Sequence, residues 1–170
     1  MSERFEVYYV RKKSGKTELD SLEKKEIDLI LNAPADKFIL LKYINDSPDI
    51  SRNSCQYYSK IIGESIYIGI QENVNSFHYE HWKEGKLLRL LSYNSDYQWH
   101  TVSGVPEEWE KNVLFRDDKL ELILKCYEEN FHEEIRKAWE MKNIKQGDQF
   151  PSIIEIEAYN GLLNYLSNFK

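Results

Sequence analysis

Residues 65–71 read S-I-Y-I-G-I-Q, and their alternation decides the fold. Ile66, Ile68 and Ile70 fall on one side of an extended chain, with Ser65, Tyr67, Gly69 and Gln71 on the other. A period of two with one strongly apolar face predicts a β-strand. Glu72-Asn73-Val74-Asn75 then makes a turn, and further strands are predicted over Phe77–Trp82, Lys86–Tyr93 and Tyr97–Val102. Glu84-Gly85 and Asn94-Ser95-Asp96 supply the short connections. Four short strands joined by tight turns predict an antiparallel meander.

Upstream, Phe5–Val10 (F-E-V-Y-Y-V) is aromatic and β-branched, which predicts a first strand. The basic residues Arg11, Lys12, Lys13 and Lys16 around Ser14-Gly15 read as a solvated hairpin or loop. Ser21 precedes a predicted helix over Leu22–Leu31, with Leu22, Ile27, Ile30 and Leu31 as its apolar stripe; a partly extended conformation is the alternative. Lys37–Ile44 is apolar on both faces, as in a strand inside a sheet. Asn45–Asn53 reads as a loop, and Ser54–Ile62 as irregular or a weak strand.

Downstream the period becomes helical. Pro106-Glu107-Glu108-Trp109-Glu110 resembles a first helical turn, with acids near the positive end of the dipole. Asp117 or Asp118 is expected to cap a helix running through Asn130, which continues over Phe131–Lys142 and is broken at Gln146-Gly147-Asp148. Pro151-Ser152 introduces the last helix, with Ser152 and Glu155 in capping-box spacing and Ile156, Tyr159, Leu162, Leu163 and Leu166 facing inward. The predicted class is α+β: an antiparallel β-meander sheet with helices packed mainly from the C-terminal third. One domain over residues 1–170 is expected, with 1–104 mostly strands plus one early helix and 105–170 helical.

Composition limits the function. Hydrophobic residues make up 41% and aromatics 14% of the 170 residues, and the 31% charged fraction is spread along the chain, as in a folded soluble protein. No apolar run approaches the roughly 18–20 residues of a membrane span. Charges at Glu3, Arg4 and Glu6 with no apolar stretch behind them predict no secretory signal, hence a cytoplasmic protein with Cys55 and Cys126 as free thiols. Cys126 is expected to pack within its helix. The net charge of −6 opposes nucleic-acid binding, because a phosphate backbone selects a positive surface.

Candidate chemistry centres on four histidines and one arginine. His78 and His81 point to opposite faces of a strand, whereas His78 and Glu80 share one. Two ligands fall short of a metal site, and His100 completes a set only if its strand lies in register. His132 reads as a helix-surface residue. Arg89 sits in Leu87-Leu88-Arg89-Leu90-Leu91, so its guanidinium must find acceptors; Glu108, Glu110, Asp96 and Glu80 are at hand. A structural pair tying the sheet to the next turn is one reading of Arg89, an anion-binding or catalytic residue is the second, and an exposed edge-strand arginine is the third. Tyr67, Tyr79, Tyr93, Tyr97, Trp82 and Trp99 either pack under the helices or form a contact face. No G-x-S-x-G elbow and no glycine-rich phosphate loop occurs, and no cofactor is expected.

Gly85-x-x-x-Arg89-x-Leu91-x-Tyr93 followed by Trp99-x-x-Val102-x-Gly104-x-Pro106-x-x-Trp109-Glu110 resembles a signature of small uncharacterised bacterial proteins. Some of those belong to contact-dependent toxin–immunity neighbourhoods. The resemblance implies a bacterial cytoplasmic protein, spans about 26 of the 170 residues, and carries over no catalytic residue.

Two functions are therefore expected. The first is a non-enzymatic interaction domain, of immunity or inhibitor type, whose acidic and aromatic residues bind a basic protein partner; Tyr79, Trp82, Tyr97, Trp99, Glu107 and Glu108 are its contact candidates. The second is a small enzyme or anion-binding domain that uses Arg89 with His78, His81 or His100.

Overall fold

The computed structural model describes residues 4–12, 29–32, 39–42, 48–71, 74–94, 96–152 and 158–167. Seven strands and four α-helices lie among them: β1 (Arg4–Lys12), β2 (Leu29–Asn32), β3 (Ile39–Lys42), α1 (Pro48–Ile62), β4 (Gly63–Gln71), β5 (Ser76–Lys83), β6 (Lys86–Asn94), β7 (Gln98–Gly104), α2 (Asp117–Cys126), α3 (Glu129–Met141) and α4 (Ala158–Ser167). A π-helical turn at Glu110–Leu114 precedes α2. The strands form one antiparallel sheet in the order β2-β3-β1-β4-β5-β6-β7, so the fold is α+β and β4 to β7 are a meander.

Pairing fixes the two faces. Ile66, Ile68 and Ile70 lie opposite His81, Tyr79 and Phe77, which lie opposite Arg89, Leu91 and Tyr93. This face packs under the C-terminal helices through Trp109, Leu114, Phe115, Ile123, Ile135, Trp139 and Leu162. The other face packs on α1, where Cys55, Tyr58 and Ile62 meet Tyr8, Val10 and Tyr67. The sheet is thus covered on both sides, and its aromatic faces are core. All four Trp indoles donate to an acceptor: Trp82 to Glu80 Oε2, Trp99 to the Pro151 carbonyl, Trp109 to Glu107 Oε2 and Trp139 to the Arg116 carbonyl.

Several expectations are corrected. Ser54–Ile62 and the described end of Asn45–Asn53 belong to α1; Pro48 suits a first helical turn, and Cys55, Tyr58 and Ile62 supply an i, i+3, i+7 stripe. Leu29–Leu31 are extended rather than helical, because they pair with β3; the segment before them lies outside the described residues. Arg11 is not in a loop but continues β1 opposite Glu64. The helix expected through Asn130 ends at Cys126, where Tyr127 and Glu128 turn extended. That break lets the Tyr127 ring meet Phe150 at 4.9 Å. Arg116, not an aspartate, occupies the N-cap of α2, and Asp118 instead accepts both Arg116 hydrogen bonds. Cys126 is exposed, and both cysteines are free thiols. Residues 153–157, with the expected Glu155 cap, lie outside the described residues.

Gly104 ends β7 at φ +86, and a Cβ there would stand 2.0 Å from the Leu88 carbonyl oxygen. Gly147 has a similar φ of +91 with nothing within 4 Å of such a Cβ. Gly104→Ala therefore loses more unfolding free energy in urea than Gly147→Ala. Backbone strain costs each variant about 1–3 kcal/mol, and the clash adds to the first. Equal midpoints for the two variants would contradict this account.

Candidate functional site

The chain leaving β7 turns back over the helix-covered face. The Val105 N–H donates to the Leu88 carbonyl at 3.2 Å, and Glu107 and Glu110 follow above β5 and β6. Arg89 is 1% exposed and Glu110 0%. Arg89 Nε and Nη2 donate to the two Glu110 oxygens at 2.8 and 2.7 Å, a bidentate pair. Arg89 Nη1 donates to the Ser103 and Gly104 carbonyls at 3.3 and 3.1 Å, tying the pair to β7.

A second centre adjoins the first. His81 Nε2 donates to Glu64 Oε1 at 2.8 Å, and Nδ1 to Glu107 Oε1 at 2.5 Å. Ionised carboxylates only accept, so both ring nitrogens carry protons and the ring is an imidazolium. Glu107 Oε2 also accepts from Tyr79 Oη at 2.6 Å and Trp109 Nε1 at 3.0 Å, while the Glu107 N–H donates to Glu110 Oε1 at 2.8 Å. Glu64 Oε2 accepts from Arg11 Nε at 2.7 Å. Three cations (Arg11, His81, Arg89) thus face three carboxylates (Glu64, Glu107, Glu110) in one continuous network.

The titration behaviour follows from this packing. Burial pushes the His81 imidazole down, but hydrogen bonds and charge from Glu107 and Glu64 outweigh it and hold the pKa up at about 9. Burial raises Glu64, yet His81 and Arg11 reverse that and leave it below its ordinary value. Burial lifts Glu110 above its ordinary value against the pull of Arg89 and the Glu107 N–H. Burial, then the Glu107 charge, pushes Tyr79 well up, so its hydroxyl stays a neutral donor. These groups stabilise one another, with their hydrogen-bonding capacity directed at each other.

The opposite face carries His78 and His100. His78 Nε2 donates to Glu80 Oε1 at 2.7 Å, and Glu80 is buried against Trp82. His100 Nε2 accepts from Ser92 Oγ, and its Nδ1 bonds Thr101 Oγ1, each at 2.9 Å. Both hydroxyls can donate or accept, so either ring nitrogen of His100 can carry the proton, and the tautomer with Ser92 as donor is the one relevant to catalysis. Serine donating to imidazole is the geometry of an activated nucleophile. Here a neutral hydroxyl, rather than a carboxylate, backs the ring, so a developing imidazolium gains little. Cys55 is buried on this face, and burial pushes its thiol far up, which keeps it protonated.

The expected site residues are therefore divided. The structure joins Arg89 to His81 through Glu107 and Glu110, and puts His78 and His100 on the other face. Tyr79 and Trp99 are wholly buried, so they are not partner contacts; both pack among aromatic rings, Tyr79 against Trp109 at 4.9 Å and Trp99 against Tyr93 at 5.3 Å. Trp82 is half-buried, and Glu107 is committed to His81. Tyr97 and Glu108 are exposed. Glu64 is not among the residues expected from the sequence, although its place two residues before Ile66 assigns it to the same strand face. Among the described residues no group of three or more His, Cys, Asp or Glu is arranged to hold a metal ion, and no helix is long and apolar enough to cross a membrane. No protein-family model matches the chain, and no curated protein or solved structure matches it either.

Two outcomes follow. Arg89→Met leaves Glu110 buried without its cation and lowers unfolding free energy by about 3–5 kcal/mol in urea; a loss under ~1 kcal/mol would show that the pair does not hold the corner. His81 has a folded pKa of about 9 against about 6.5 for an unfolded histidine. A raised folded pKa means its contribution is complete below pH ~6.5 and is lost as pH rises through ~9, on the order of 3 kcal/mol in all. His81→Gln flattens that decline in a stability–pH series; an equally steep decline in the variant would remove His81 as its cause.

Proposed function

We propose that this chain is a non-enzymatic interaction domain that binds a basic protein partner, in the manner of an inhibitor or immunity protein. The observation that carries the reading is the contrast between inside and outside. Inside, Arg11, His81 and Arg89 are matched by Glu64, Glu107 and Glu110. Outside, α2, α3 and the residues between them expose eight carboxylates, Asp117, Asp118, Glu121, Glu128, Glu129, Glu133, Glu134 and Glu140, against the cations Lys125, Arg136 and Lys137. Arg116–Asp118 and Lys142–Asp117 form ion pairs there. The same helices expose Leu122 and Met141, apolar area that a partner would desolvate. An acidic surface steers a basic partner and rejects an acidic one.

The enzymatic alternative rests on the Ser92–His100 hydrogen bond. Ser92 is buried and its histidine lacks a charged support, which favours a structural tie between β6 and β7. A fluorophosphonate probe is expected to label the native chain no more than Ser92→Ala; stoichiometric labelling of Ser92 would reverse the preference.

The interaction reading is tested by affinity capture from the cells that make the protein, with Glu128→Lys/Glu129→Lys/Glu133→Lys beside the native chain. The expected result is a basic protein retained by the native chain, released as salt rises, and lost by at least tenfold with the variant. Retention of the same proteins by both, or of acidic proteins only, would sink the reading.

A further inference from the structure

Among the described residues β7 is the terminal strand of the sheet beside β6, with no strand on its outer side. That outer edge already pairs at one point. The Trp99 N–H donates to the Asp148 carbonyl at 2.9 Å, and the Trp99 carbonyl accepts from the Gly147 N–H at 2.7 Å. Bonds from one residue to two successive residues, with Gly147 at φ +91, are the pattern of a β-bulge, so residues 147–148 cover only Trp99 as a short stub. The stub goes no further because it is folded into its own turn: the Asp148 N–H donates to the Lys145 carbonyl, and Asp148 Oδ2 accepts from the Lys145 N–H. Among the described residues no backbone bond from outside the sheet ladder reaches His100–Gly104, although the Arg89 side chain donates to the Ser103 and Gly104 carbonyls.

Edge strands are ordinarily guarded by charge, proline or a bulge. β7 reads Q-W-H-T-V-S-G and carries none of Lys, Arg, Asp, Glu or Pro. Its one register shift lies between the Ser92–Thr101 and Tyr93–Trp99 pairs and leaves His100 as the extra residue, next to the one that residues 147–148 cover. The open end is flanked by Val105, 77% exposed, and Leu88, 37% exposed, held together by their backbone bond. Five residues of open strand extend about 16 Å, enough to seat a short segment of another chain. From Gln98 to Glu110 there is no Lys or Arg, and beyond the strand's end Glu108 is an exposed carboxylate, while Glu107 and Glu110 are taken by His81 and Arg89. A neutral or basic segment suits that edge, and an acidic one is repelled.

We propose that the partner is held by strand addition: an extended, neutral-to-basic segment of it pairs with the outer edge of β7 over His100–Gly104, with an apolar side chain against Leu88 and Val105. This rests on the interaction reading above and names where that interaction is made. Backbone bonds supply the attachment, and alternate side chains of the incoming segment supply selectivity.

The test uses the full chain and a phage-displayed library of random twelve-residue peptides. Peptides selected on the native chain are expected to be extended, poor in Asp and Glu, and at least tenfold weaker on Thr101→Lys/Ser103→Lys. They are also expected to slow amide hydrogen exchange within residues 100–104. Val105→Lys, outside the strand, serves as a second variant if the double substitution lowers thermal stability, and is expected to weaken the same peptides at least fivefold. Selected peptides that bind both variants at native affinity, protect amides elsewhere, or prove predominantly acidic would overturn the proposal, as would a library yielding none. A native dimer abolished by Thr101→Lys/Ser103→Lys would overturn it in favour of a second copy as occupant. A basic partner captured through α2 and α3 but indifferent to the β7 variants would refute strand addition and leave the interaction reading standing.

Discussion

A guanidinium buried to 1% exposure obliges its surroundings to supply acceptors, and much of this fold can be read from how that need is met. Arg89 lies on the face of β6 that the helices cover. Glu110 must therefore come back over the sheet, which requires the chain to reverse after Gly104 and to place Glu110 at the start of a π-helical turn. The same reversal brings Glu107 over His81 and Tyr79. One pair thus sets the sheet-to-helix corner, and a second set of charges closes around it. π-Helical turns occur where a side chain has to be aimed out of helical register, and Glu110 and the packed Val113 and Leu114 fit that account.

The distribution of charge separates the interior from the surface. Groups that would ordinarily suggest catalysis, an arginine, a histidine and several glutamates close together, spend their hydrogen-bonding capacity on each other. Such a network trades desolvation for pairing, and it is stable only while every member is present. The surface carries its carboxylates on α2, α3 and the residues around them, and ends its sheet on an unguarded strand. Recognition can use both, one by long-range attraction and the other by directional backbone bonds.

Much of the architecture was legible in local pattern. Ile66, Ile68 and Ile70 announce their strand because alternation is a property of neighbouring residues, and Glu84-Gly85 announces its turn for the same reason. Leu29–Leu31, where helix and extended chain are both open, and Ser54–Ile62 are ambiguous in the sequence because short apolar segments without a clear period take their form from what they pack against. Cys55, Tyr58 and Ile62 are a helical stripe once the sheet face beneath α1 is known, while the intervening Tyr57 and Ser59 obscure it in the sequence.

For the candidate site the division is sharper. Sequence alone determined that Arg89 needed a carboxylate, that His78 and His81 face opposite ways, and that His78 and Glu80 share a face, because each statement follows from strand period and the cost of a buried charge. Only the tertiary structure chose Glu110 over Glu108, Asp96 and Glu80, brought Glu64 and Arg11 to His81 from other strands, and buried Tyr79 and Trp99. Those choices depend on register between strands and on the path of the chain across the sheet, and residues 17 to 53 positions apart acquire a distance only when the chain folds.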